Sequence, residues 1–235
     1  MNLPPVNIDF ILVNYYSEDY ARIVVESIYK YTKSDFNIIL IDNSRDKELL
    51  QSKFQNYKKK NLSIINGFDQ EPPSERFLKP IQMHRTNSGQ YGPGSLYHNK
   101  AFNLGIELCN SKYICHLDID SLFLSNWEEY ILPLLEENLF ISSESSKGIA
   151  REYFIIWERN KFEMYNLSPD LSYVDTCGNL TKFANDNQLS YKITRTIPNG
   201  IDYHFHLGRG TSLEQYGQNN KNQKYIQKWN NFFKI

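Results

Sequence analysis

The chain has 235 residues and a formal net charge of -1, with 40% hydrophobic and 23% charged residues. That length holds one large domain whose folding removes roughly 70% of the unfolded surface from water. The near-zero charge excludes a polybasic nucleic-acid binder and an acidic tail, so nucleic acid is not an expected partner. The three cysteines are odd in number and form no Cys-x-x-Cys pair, so no disulfide framework is expected and a reducing, cytoplasmic compartment fits. MNLPPVNIDF lacks a basic segment followed by an apolar one, so no signal peptide is expected. No apolar run reaches the ~18 residues of a membrane helix.

IDFILVN (Ile8 to Asn14) is a continuous apolar run of strand length. Ser17, Glu18 and Asp19 supply helix-start chemistry, and Ala21, Val24, Val25 and Ile28 share one helical face. NIILID (Asn37 to Asp42) is a second apolar strand. The three elements make a βαβ unit and predict a parallel sheet. Residues 45–85 are polar, with one short strand expected at Leu62 to Ile65. The glycine-rich loop NSGQYGPG (Asn87 to Gly94) then runs into a helix expected from about Ser95 to Cys109.

The next strand, in YICHLDIDSLF (Tyr113 to Phe123), ends in Asp118 and Asp120. In a strand, residues i and i+2 point to one side. Two carboxylates held together resist joint ionisation unless a cation neutralises them. Mg2+ or Mn2+, with oxygen ligands, meets that need, and such ions are commonly completed by substrate phosphates. Asp-x-Asp alone also fits two aspartates capping the turn DSLFLSNW in solvent.

Farther on, FISSES (Phe140 to Ser145) and REYFIIWE (Arg151 to Glu158) read as strands. DTCGNLTKFANDN (Asp175 to Asn187) reads as a helix with Asp175 as N-cap. YHFHLGRGTS (Tyr203 to Ser212) alternates like a strand, placing His204 and His206 on one face. The tail KYIQKWNNFFKI carries Tyr225, Trp229, Phe232 and Phe233 on one helical face. It would either pack on the domain or dock on a membrane surface. With no internal repeat or linker, a single domain is expected. It would divide into residues 1–122, residues 123–215 and a tail, 216–235.

Four pieces, in order, carry a family resemblance. ILVNYYS resembles the first strand and turn of nucleotide-sugar glycosyltransferases of the GT-A fold, close to family 2. LIDNS, NSGQYGPGSLYHNKAFNLGI and HLDID resemble the second strand end, the Asn-x-Gly segment and the DxD motif of the same enzymes. The resemblance implies an α/β, Rossmann-like fold: a central, mostly parallel sheet flanked by helices, with a small C-terminal acceptor-side region. It implies a donor site drawn from Val13, Asn14, Tyr15, Asp42, Asn87, Gly89, Asn99 and Asp118, with Asp42 at the base. Independently, glycines allow close backbone approach, and the helix start offers free N–H groups to phosphate.

The resemblance further implies a metal, Mn2+ or Mg2+, on Asp118 and Asp120. A late histidine would complete the site, with His206 matching best and His204 the alternate. It implies inverting transfer from a nucleoside-diphosphate sugar to a saccharide or lipid-linked glycan acceptor, at or near the inner membrane face. A general base is needed for the acceptor hydroxyl. Asp175, at a helix start after the DxD motif, takes that place, with Asp170 and Asp202 as further candidates. The Glu-Asp pair that marks the base in many relatives is missing. Arg209 and Lys100 are candidates to offset diphosphate charge, or plain surface charges.

Other classes fit less. A haloacid dehalogenase-type phosphatase also places Asp-x-Asp after a strand, but near its N-terminus and with a later acidic pair. A nucleotidyltransferase would carry a Gly-rich basic loop after the first strand, where NYYSEDY stands. A non-catalytic module of the same fold has no need of Asp118, Asp120 and a late histidine. Oligomeric state is not legible.

Overall fold

The computed structural model describes residues 7–44, 47–55, 57, 61–67, 93–146, 149–151, 153–164 and 175–206. The first half runs β1 (Asn7–Asn14), α1 (Glu18–Tyr31), β2 (Asp35–Asp42), α2 (Lys47–Phe54), β3 (Leu62–Asn66), α3 (Pro93–Leu108), β4 (Tyr113–Leu117) and β5 (Ser121–Phe123). It continues with α4 (Glu128–Ile131), β6 (Phe140–Ser142), β7 (Ser145–Ser146), β8 (Ile149–Ala150), β9 (Phe154–Glu158), α5 (Arg159–Met164) and α6 (Asp175–Asp186). The last described elements are β10 (Lys192–Ile193), β11 (Thr196–Ile197), β12 (Ile201–Asp202) and β13 (His204–His206).

Seven strands form one sheet in the order β10-β6-β9-β4-β1-β2-β3. Every neighbouring pair is parallel except those of β9, which runs against both β4 and β6. The sheet is therefore mostly parallel, as the βαβ reading requires. The parallel strands are largely apolar on both sides because both faces are covered, with Asp9 and His116 among the buried polar exceptions. Alternation along the strands sorts their side chains into two cores. Ile8, Phe10 and Leu12 of β1 join Ile38, Leu40, Cys115 and Leu117 on the face covered by α1, α2 and α4. Ile11 and Val13 join Ile39, Ile41, Ile114, Ile155 and Trp157 on the face covered by α3 and α6. Burying one such aliphatic side chain contributes about 1.5–3 kcal/mol.

Gly105 sets how closely α3 lies on this second face. A Cβ there would come within 2.5 Å of Ile11 Cγ2 and 3.2 Å of Ile41 Cδ1. The α3 helix starts at Pro93, a residue suited to the first helical turn because its missing N–H would have no helical partner there.

The differences from the predicted elements have local causes. Sequence periodicity overlooks α2, whose inward contacts are Leu50 and Phe54 in a polar stretch. FISSES is not one strand: β6 stops at Ser142, whose Oγ donates to the carbonyls of Glu144 (3.0 Å) and Arg151 (2.9 Å) and turns the chain. The β4 strand ends at Leu117, one residue before Asp118. The tail from residue 207 onward lies outside the described residues.

Candidate donor and metal site at the strand ends

The parallel register puts the carboxyl ends of β1, β2 and β3 side by side, with Asn14 opposite Asp42 and Asp42 opposite Asn66. In open α/β sheets this edge is where ligands bind. Asn14 Nδ2 donates to Asp42 Oδ1 at 3.0 Å and to Ser44 Oγ at 3.2 Å. Asn14 Oδ1 accepts from the Ser17 N–H at 3.1 Å and so ties the sheet to the start of α1. Tyr15 and Tyr16 meet edge to face at 4.9 Å. Tyr16 has φ 49°, a strained backbone for a residue with a side chain, and its N–H is held by Ser44 Oγ at 2.8 Å. Val13 and Asp42 are buried. Glu18, at the start of α1, has an Oε1 buried without a hydrogen bond. Burial and the nearby Asp42 charge push its carboxyl up.

The two aspartates come together by a turn, not by strand alternation. The Ser121 N–H donates to the Asp118 carbonyl at 3.0 Å. The Tyr153 carbonyl accepts from the Asp118 N–H at 3.1 Å and from Ser121 Oγ at 3.0 Å, clamping both ends of the turn. The β5 strand leaves this turn and pairs antiparallel with β13, His206 opposite Ser121 and His204 opposite Phe123. That register carries His206 to the aspartates. Its Nε2 lies 3.1 Å from Asp120 Oδ1 and 4.0 Å from Asp118 Oδ2. The Tyr153 ring stacks on His206 at 3.5 Å between centroids. Asp118, Asp120 and His206 each offer a ligand atom within 4.8 Å of the others.

His204 does not join that group. It is fully buried against Phe154 and Tyr203. The Tyr153 backbone nearby exerts a weak upward pull, but no hydrogen bond of ordinary geometry reaches either ring nitrogen of His204. Burial, then the neighbouring His206 and Arg195, push its pKa down to about 3.

Sequence reading missed two further histidines. His116 Nε2 lies 3.2 Å, and His98 Nε2 3.8 Å, from Asp118 Oδ1. His116 is fully buried, and its Nδ1 donates to the Ile11 carbonyl at 3.1 Å. The signal was available: His116 is two residues from Asp118, the same spacing that drew attention to Asp120.

Like charges sharing a site drive their pKa values apart. Burial raises the Asp118 carboxyl, but the His116 hydrogen bond and the His116, His98 and His206 imidazoles outweigh it and hold the group below the usual carboxylate range. Asp120 is pushed up, by burial and by the Asp118 charge, despite its bond to His206. Burial opposes the charged form of His206, yet Asp120 and Asp118 together raise its pKa. A divalent cation would relieve the conflict between the two carboxylates. The donor set, two carboxylate oxygens and an imidazole nitrogen, suits Mn2+ and also accommodates Mg2+.

Of the remaining candidates, Asn99 lies on α3, Asp175 is the first residue of α6, and Asp202 ends β12. Asn87, Gly89, Asp170 and Arg209 lie outside the described residues. Lys100 is exposed on α3.

No family model matches the chain. An uncharacterized glycosyltransferase of Rickettsia bellii (strain RML369-C) is 32% identical over 123 residues, 52% of this chain. The match spans only 14% of that relative's length. Mannosyltransferase PcManGT from Pyrobaculum calidifontis, solved with GDP-Man and Mn2+, superposes with a TM-score of 0.56 at 11% identity, over 86% of this chain and 59% of that one. The chain has a glycosyltransferase fold. TarS 1-349 of S. aureus superposes with a TM-score of 0.54 at 13% identity, over 85% of this chain and 60% of its own. A further TarS structure gives 0.55 at 13% identity, over 89% and 38%. Both the fold and the sequence relative are thus glycosyltransferase-like. Among the described residues no helix is long and apolar enough to cross a membrane.

Proposed function

We propose that the chain is a metal-dependent glycosyltransferase that moves a sugar, with inversion, from a nucleoside-diphosphate sugar to a hydroxyl of a saccharide. The observation that carries this reading is the Asp118, Asp120 and His206 group at the end of β4, in a glycosyltransferase fold. The GDP-Man and Mn2+ bound to the Pyrobaculum enzyme support it.

Asp118, Asp120 and His206 would hold Mn2+ or Mg2+. When bound, the ion supplies Lewis-acid stabilisation of the charge on the departing nucleoside diphosphate. Asn14 and Asp42, braced against each other at 3.0 Å, would line the base and ribose side of the donor with Val13 and Tyr15. Asn87, Gly89 and Asn99 would contribute to the same subsite. Asp175 would take the acceptor proton as the acceptor oxygen bonds the anomeric carbon and the sugar–phosphate bond breaks. The half of the chain after β4 would hold the acceptor. Cys109 and Cys115, both buried free thiols, support a reducing, cytoplasmic setting.

The test is thermal shift of the whole chain against UDP, GDP, dTDP, ADP and CMP, each with Mn2+ and with EDTA. A rise of several degrees with one nucleotide, only with metal, is expected. It should vanish in Asp118→Asn. A flat panel with every nucleotide overturns the reading.

A further inference from the structure

We propose that Asp118 bridges two metal sites, the second built from His98, His116 and Asp118 Oδ1 and selective for a first-row transition ion. The proposal extends the metal reading of Asp118, Asp120 and His206 above.

Asp118 divides its two oxygens between opposite neighbours. Oδ2 is the one that faces His206, at 4.0 Å. Oδ1 faces His116 at 3.2 Å and His98 at 3.8 Å. One ligand atom from each of His98, His116 and Asp118 lies within 4.8 Å of the others, as in the first group. Ligands bound to one ion at about 2.0–2.2 Å stand at such mutual separations after a small adjustment.

His116 carries the stronger argument. Its Nδ1 faces a carbonyl, that of Ile11, at 3.1 Å, so that nitrogen bears the proton. Its Nε2 faces Asp118 Oδ1 at 3.2 Å, the same oxygen that His98 approaches. A cation on that side would take the nitrogen and the oxygen as ligands. A ligating histidine whose other nitrogen donates to a backbone carbonyl is the usual support for a metal site. Here β4 supplies it through register, since His116 stands opposite Ile11 on β1. The ring is fixed from the side by Phe102 at 4.5 Å, and His98 approaches from the same helix at 5.4 Å between imidazole centroids.

Two imidazoles and one carboxylate favour Zn2+, Co2+ or Mn2+ over Mg2+, which prefers oxygen ligands. Two ions sharing a carboxylate sit about 3.5–4 Å apart, the spacing of two-metal sites that clamp phosphate oxygens. The pair would offer a diphosphate more positive charge than the first site alone.

The experiment titrates the EDTA-stripped, desalted full chain with Mn2+ and separately with Zn2+, by calorimetry, and records the Mn2+ electron paramagnetic resonance spectrum. Wild type should bind two ions per chain, and His98→Ala and His206→Ala one each. His98 is partly exposed on a helix, so alanine should leave the fold intact, which far-ultraviolet circular dichroism checks; His116→Gln provides a second variant. The wild-type Mn2+ spectrum should show a coupled pair, and the His98→Ala spectrum an isolated ion. A single ion in wild type, kept in His98→Ala and lost in His206→Ala, overturns the second site and leaves the first. No bound ion in any protein overturns both.

Discussion

His206 Nε2 lies 3.1 Å from Asp120 Oδ1, although the two residues are far apart in the sequence. The pairing of β13 with β5 makes this contact, and it defines a carboxylate whose burial is uncomfortable without a cation. Asp120→Asn removes one of two competing negative charges. The apo melting temperature, read in EDTA, should therefore hold or rise. The additional stabilisation by Mn2+ should fall to what the His98, His116 and Asp118 site supplies alone, because stabilisation by a ligand follows its affinity. A D120N protein that keeps the full Mn2+ shift would remove Asp120 from the ligand set.

His204→Phe separates the two late histidines. His204 is buried without a hydrogen bond, so a ring of similar size should be tolerated and Mn2+ binding retained. His206→Ala should instead weaken Mn2+ binding at the Asp118, Asp120 and His206 site by about 100-fold or more, since it removes a ligand rather than a support. Calorimetric titration of both variants decides it.

The same buried ring predicts a pH dependence of stability. The folded pKa of His204, about 3, lies below the unfolded value, about 6.5. Below pH 6.5 the unfolded chain binds a proton that the folded chain refuses. Its contribution to stability is thus complete above pH 6.5 and is lost as pH falls from there toward 3, by about 1.4 kcal/mol per unit. The His204 share, read by urea unfolding in EDTA at pH 7 and pH 5 as the difference between wild type and His204→Phe, should be a loss of roughly 2 kcal/mol. His204→Phe should show a clearly shallower slope.

Gly105→Ala tests the seat of α3. Alanine improves helix propensity by about 1 kcal/mol. The added Cβ would stand 2.5 Å from Ile11 Cγ2, a branched core atom with nowhere to go. Overpacking of that kind costs about 1–3 kcal/mol, so the net effect should be destabilising by about 1 kcal/mol. Denaturant unfolding with an unchanged m-value would show it; a more stable variant would mean α3 lifts freely from the sheet.

Asp175→Asn should lower kcat by about 10²–10⁴-fold while leaving donor affinity unchanged, as loss of a general base does. If the donor binds more weakly and kcat holds, the base lies elsewhere.

Much of this protein is legible in its sequence. Apolar runs of strand length separated by a 3.6-period helix predict the parallel sheet, and β1, β2, β3 and β4 follow in that order. Asp42 and Asn14 could be singled out because both end strands. Local pattern suffices there, since hydrophobic period and strand length are properties of short windows. Elsewhere the local rule misled. Strand alternation predicts that Asp118 and Asp120 share a face, but the strand has already ended, and a turn pinned by the Tyr153 carbonyl brings them together. The resemblance already favoured His206 over His204, and the β5–β13 register is what carries His206 to the carboxylates. His116, two residues from Asp118, was within reach of a short window, whereas His98 needed the packing of α3 over the sheet. Contacts of that kind join distant parts of the chain and leave no mark in a short window, so only the tertiary structure could place three imidazoles around one aspartate.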